Sequence, residues 1–168
     1  KGNADYNGIV LFVPRLLCKF HSGIEEGRDL FTEYTTTDLG DAVLRLGLIV
    51  PVLAIDSALY SVSVRRAVEA YDPPGAIVVQ NGVFPFHSDG HAVVADLAVL
   101  REWVPDLDWQ QVDVPEGSYA TTIRGFRKIE AGRIVTAGYD FVLTEVESLP
   151  QCTGDTGRNL NVLRFEGP

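Results

Sequence analysis

The sequence predicts a mainly β protein, an antiparallel β-sandwich or barrel-like fold with one short helix. Three observations carry that expectation. About eight to ten short apolar or alternating runs follow one another, with turn residues roughly every eight to fourteen positions. From Ala58 to Arg66 the chain alternates strictly, with Tyr60, Val62 and Val64 on one face and Ser61, Ser63 and Arg65 on the other. Finally, Val112 to Ser148 reads as two long strands joined by a turn and entered through a Pro115-Glu116-Gly117 corner.

At 168 residues with 46% hydrophobic and 22% charged side chains, the chain fits one globular domain with a real core. Residues 1–150 form the expected domain, and 151–168 a tail packing on it or extending from it. The apolar runs are too short to span a bilayer. No signal peptide is legible. The chain starts at Lys1 and contains 0 Met, so the expectation is that a start methionine, alone or with a leader, was removed.

In chain order, Lys1 to Asn7 is polar and loose. Gly8 to Val13 is a continuous apolar run ended by Pro14, as in a buried strand. Arg15 to Phe20 either extends it or turns a corner. His21 to Asp29, with Gly23 and Gly27, is a loop, and Leu30 to Tyr34 reads as a short strand. Asp38 before Leu39, Asp41 in the first turn and Gly47 beyond the end mark a helix over Leu39 to Leu46.

Leu48 to Ile55 is broken by Pro51 and suits an edge or bent strand. Asp56-Ser57 turns the chain into the alternating strand Ala58 to Arg66. Asp72-Pro73-Pro74-Gly75 is a breaker. Ala76 to Phe84 is a strand interrupted at Asn81-Gly82, which favours a hairpin or a bulge. Asp89-Gly90 is a turn, His91 to Val99 a strand, and Val104 to Gln111 a loop. Tyr119 to Ile129 and Ile134 to Glu147 are the long pair, joined at Glu130 to Arg133, with a bulge expected at Gly138. Leu149-Pro150 stops the second strand, and Asn161 to Phe165 is a candidate last strand.

Composition narrows function. A net charge of −9 argues against nucleic-acid binding, which needs a basic stripe to release phosphate counterions. The basic residues are scattered except at Arg65-Arg66 and Arg124/Arg127/Lys128. Two cysteines, Cys18 and Cys152, make no disulfide framework and fit reduced thiols in a cytoplasmic protein, although one bridge tying the tail to the first strand stays open. Cys18 and His21 are the one Cys-His pair near in sequence. No nucleophile elbow, Walker loop or dinucleotide fingerprint is present.

His87-Ser88-Asp89-Gly90-His91 is the most metal-like segment. Two histidines four apart share a helical face, but on an extended strand they stand roughly 13 Å apart. Metal binding through His87, Asp89 and His91 is therefore an alternative and not the leading expectation; no cofactor is expected. Carboxylate pairs such as Glu145/Glu147 read as solvated faces. Aromatic residues among acids are the more useful signal, because Trp and Tyr anchor interfaces and charge sets association rate. Asp106, Asp108, Trp109, Asp113, Glu116 and Tyr119 form the candidate partner-binding set, with Trp103 beside them. The competing reading places both Trp residues in the core.

Several of these features resemble the competence protein J family, small inhibitors that accompany a secreted bacterial nuclease. The matching points are Leu30-Phe31-Thr32, Asp41-Ala42-Val43 with Gly47, the strand Ala58 to Arg66, Val83-Phe84-Pro85-Phe86, and the Val114-Pro115-Glu116-Gly117-Ser118-Tyr119 corner. The resemblance implies a bacterial, non-enzymatic inhibitor or immunity protein that occupies the basic cleft of a toxin or nuclease. It assigns no inhibitory residue. The alternatives are a small hydrolase or metal enzyme using His87, Asp89 and His91, or a structural or assembly subunit.

Overall fold

The computed structural model describes residues 7–69 and 71–163. Strand accounts for 40% of the described residues and helix for 16%, so the protein is mainly β. The strands are β1 (Gly8–Phe12), β2 (Ile49–Leu53), β3 (Ser61–Arg66), β4 (Ala76–Ser88), β5 (Val93–Asp96), β6 (Gln110–Gln111), β7 (Gly117–Glu130) and β8 (Arg133–Val146). They form two four-stranded sheets, ordered β2-β1-β5-β6 and β3-β8-β7-β4. The helices are α1 (Pro14–Phe20), α2 (Leu30–Thr36), α3 (Leu39–Arg45) and α4 (Ala98–Arg101).

Three layers result. Ile9, Leu11, Val50, Val52 and Val94 point between the sheets and meet Phe84, Phe86, Tyr119, Ile123, Tyr139, Phe141 and Leu143. Val10, Phe12, Ile49, Val93 and Ala95 point the other way, onto Leu17, Leu30, Val43, Val99, Leu100 and Trp103. Strand β1 is therefore buried on both faces, which is why its sequence is continuously apolar. Each fully buried Leu or Phe here contributes about 1.5–3 kcal/mol of burial.

The helical layer is where expectation and structure part. Instead of one helix there are four among the described residues. Pro14 presets φ at the first position of α1 and Leu17 anchors it in the core, so the chain coils after β1 instead of extending it. Leu30 to Tyr34 lies on α2 and not on a strand. Its Thr, Phe and Tyr content suits either state, but Asp29 caps the helix by accepting from the Thr32 N–H at 3.0 Å and from its hydroxyl at 2.7 Å. The hydroxyls of Thr36 and Thr37 then donate back to the carbonyls of Thr32 and Glu33.

Helix α3 matches the expected Leu39 to Leu46 to within one residue. Gly47 (φ +71°) donates to Leu44 and Leu48 donates to Val43, the paired bonds of a Schellman stop. The strand read as His91 to Val99 ends at Asp96. There the Asp96 carboxylate accepts the Ala98 N–H at 2.8 Å and starts α4.

Strand β2 is an edge, and Pro51, opposite Val10, is tolerated for that reason. Among the described residues all pairings are antiparallel except β3 with β8, which run parallel from Ser61↔Gly138 to Arg66↔Leu143. Asn81-Gly82 makes no hairpin; β4 runs through it, with register shifts against β7 at Ile77/Val79 and Gly82/Phe84. Gly138 is not a bulge. The β7–β8 irregularity lies at Lys128/Ile129, and Gly138 pairs regularly with Phe126. A Cβ at Gly138 would lie 1.9 Å from the Ser61 carbonyl oxygen, so glycine is needed for β3 to approach.

The tail belongs to the core. Leu160 and Val162 are buried between the sheets. Asn81 donates to the Asp155 carbonyl at 2.7 Å and accepts its N–H at 3.0 Å, while Thr153 and Gly154 donate to Val83. This covers the exposed edge of β4. Asn161 to Leu163 is irregular rather than strand, and the rest of the expected last strand lies outside the described residues.

Candidate functional site

The six residues expected to bind a partner are not one surface. Asp106 and Asp108 sit exposed in the loop after α4, both in the left-handed region (φ 62° and 56°), which Asp tolerates better than most residues. Trp109 is half-buried and packs edge-on against Phe12 at 5.3 Å and Trp103 at 5.2 Å. Trp103 is 2% exposed, so the core reading holds for it. Asp113 and Glu116 are exposed at the other end of β6, beside the corner. Tyr119 is fully buried between the sheets, with its hydroxyl donating to the Pro115 carbonyl at 2.7 Å. As a core residue bracing the corner, it has no surface to offer a partner, which corrects its place in the set.

What the fold does assemble is a cleft of about 250 Å³ at one end of the sandwich. Its walls come from Gly8 and Ile9 of β1, the 55–60 loop, Val94 to Asp96 of β5, and Asp108 with Gln110. Asp56, Asp96 and Asp108 bring three carboxylates, and the described lining residues include neither Lys nor Arg. Ile9, Ile55, Tyr60, Val62 and Val94 supply apolar surface, and Leu59 stands fully exposed at the rim. Tyr60 donates to the Asp56 carbonyl, and burial, with the Asp56 charge, pushes its phenol up to about 12. Asp56 is further anchored through its N–H to the Asn161 side chain at 2.7 Å.

Of this acidic set, sequence reasoning had only Asp108. Asp56 was legible as a turn residue, and Asp96 carried no signal, because three distant segments supply the three carboxylates. A second cleft, of about 220 Å³, lies across the Asp106 loop and is lined by Arg15, His91, Trp109 and Gln111.

The metal alternative finds no geometry. Among the described residues no cluster of three His, Cys, Asp or Glu side chains could hold an ion. Asp89 is committed elsewhere, accepting from Arg15 Nε at 2.8 Å and from the His91 N–H at 2.9 Å. The Cys-His alternative fares no better. His21 Nε2 lies 2.7 Å from the Tyr34 hydroxyl with the rings stacked, and burial raises the Cys18 thiol pKa, which keeps it protonated. Cys18 and Cys152 are both free thiols.

No helix among the described residues is long and apolar enough to cross a membrane. No family model, curated protein or solved structure matches the chain.

Proposed function

We propose that the protein is a non-enzymatic binding protein of the inhibitor or immunity type, which receives a basic protein partner such as a toxin or nuclease. The observation that carries this reading is the cleft between β5, the 55–60 loop and Asp108. Acidic groups over an apolar floor suit a partner's Lys or Arg, whose aliphatic stem packs on Ile9 and Tyr60 while its charge meets Asp96 and Asp108. Exposed Leu59 adds an apolar anchor at the rim. A chain charge of −9 steers such a partner inward, and the resemblance of the Pro115–Tyr119 corner to nuclease inhibitors points the same way.

Size-exclusion chromatography of the protein with the product of the neighbouring reading frame tests it. A stoichiometric complex is expected. Asp96→Asn with Asp108→Asn should slow association about tenfold and flatten its salt dependence. Absence of any complex removes the inhibitor reading; a complex with unchanged kinetics in the double variant moves the interface away from this cleft.

A further inference from the structure

Arg65 and Arg124, one from each basic cluster of the sequence and far apart along the chain, share the outer face of the second sheet. Ala137, Tyr139, Phe141 and Leu143 of β8 point into the core, so Asp140 and Val142 point outward. The register places Arg124 on one side of Asp140 and Ser63 on the other. In the next row, Thr122 and Arg65 flank Val142. With strands about 4.8 Å apart and about 6.7 Å per two residues, the Cα atoms of Arg65 and Arg124 lie roughly 12 Å apart, within reach of two arginine side chains directed at one point.

The hydrogen bonds there are lopsided. Asp140 is 2% exposed, and its Oδ1 accepts from the hydroxyls of Ser63 at 2.5 Å and Tyr71 at 3.4 Å. Arg65 Nη2 donates to the Ser63 hydroxyl at 3.1 Å, and its guanidinium lies on the Tyr71 ring. The guanidinium of Arg124 makes no hydrogen bond or ion pair among the described residues, although Asp140 is its direct cross-strand neighbour. The Nε–H groups of both Arg65 and Arg124 are shielded from water and unpartnered among the described residues. Buried donors without acceptors are rare and call for a missing partner. Two guanidinium charges against one carboxylate leave a net positive charge on a protein whose total is −9.

We infer that this face binds a phosphate group between Arg65 and Arg124. Phosphate fits better than a carboxylate, because its tetrahedral oxygens serve guanidinium groups arriving from two strands, whereas a carboxylate pairs with one planar fork. Asp140, Ser63 and Tyr71 act as positioning residues, holding the Arg65 side chain up from β3. The site differs in sheet, face and charge from the acidic cleft and stands independently of the function proposed for it.

The test is titration of the intact protein with inorganic phosphate against sodium chloride at matched ionic strength, read by thermal melting and by backbone amide shifts. Saturable shifts at Ser63, Arg65, Arg124 and Asp140 are expected, with a rise in Tm beyond the chloride control. Arg124→Gln should weaken phosphate binding at least tenfold, Arg124→Lys should weaken it less, and Asp140→Asn should tighten it by removing the competing charge. Phosphate stabilises many proteins non-specifically, so the difference between wild type and Arg124→Gln is the readout. An equal rise in both overturns the inference, as do wild-type shifts that never saturate or scatter away from this face. Equal saturable binding of acetate overturns the assignment of phosphate. The wild-type shifts decide the matter even where a variant fails to fold.

Discussion

The Tyr119 hydroxyl donates to the Pro115 carbonyl at 2.7 Å, four residues back, and so closes the corner by which the chain enters β7. The ring fills the core while the hydroxyl satisfies backbone at its margin. Tyr119→Phe keeps the packing and removes one hydrogen bond, so a loss of about 1 kcal/mol is expected in urea unfolding. Tyr119→Ala also opens a cavity and should cost about 3–5 kcal/mol. Equal effects of the two variants would show that the corner does not depend on the ring.

Gly138 permits the one parallel pairing among the described strands. An added Cβ would meet the Ser61 carbonyl oxygen at 1.9 Å and the Phe126 ring at 2.8 Å. Backbone cannot yield as a flexible side chain does. Gly138→Ala should therefore cost at least the upper end of the roughly 1–3 kcal/mol typical of overpacking, and free β3 from β8. Hydrogen exchange checks this directly, because amides of Ser61 to Arg66 should lose protection before those of β7.

The β7–β8 turn offers the opposite sign. Ala131 (φ 50°) and Gly132 (φ 75°) both occupy the left-handed region, as a two-residue type I′ turn requires. Alanine pays about 1–2 kcal/mol for that conformation, and asparagine less. Ala131→Asn should stabilise the protein by about 0.5–1 kcal/mol, visible as a higher midpoint in urea at unchanged slope.

Two pH limits follow from burial. Desolvation, reinforced by the Arg28 charge, lowers the His21 pKa below its ordinary 6.5. The unfolded chain therefore takes up a proton that the folded one resists, and stability falls as pH drops below about 6.5. His21→Asn should flatten the Tm profile between pH 7 and 5. At the alkaline end, burial raises the phenols of Tyr34 and Tyr139 and pushes Tyr60 up to about 12. The unfolded chain loses those protons near pH 10, so stability present below pH 10 declines as pH rises toward the folded values. Absorbance of phenolate at 295 nm should rise together with unfolding, not before it.

Much of the β framework is readable from local pattern. The alternation of Ala58 to Arg66, which is strand from Ser61 onward, the stop at Gly47, the turn at Ala131-Gly132 and the Pro115–Tyr119 corner each follow from side-chain period or from residues with special backbone preferences. The acidic loop carrying Asp106 and Asp108 is legible for the same reason. Its grouping with Tyr119 is not, because nothing local says that a tyrosine after a corner turns inward to fill the space between two sheets.

What the sequence by itself determined is the mainly β class, the α3 helix, the long β7–β8 pair and the acidic character of the chain. These depend on interactions within a few residues, and on charge, which simply sums. Only the tertiary structure decided that Leu30 to Thr36 is helical, since a helix of seven residues with that composition is held by its Asp29 cap and the burial of Leu30 against the first sheet. It also decided which carboxylates share a cleft and which arginines share a face. Asp56, Asp96 and Asp108 come from three segments, and Arg65 shares a face with Arg124 because β3 adds in parallel beside β8. Strand order is set by how whole faces bury against one another, and no local period encodes it.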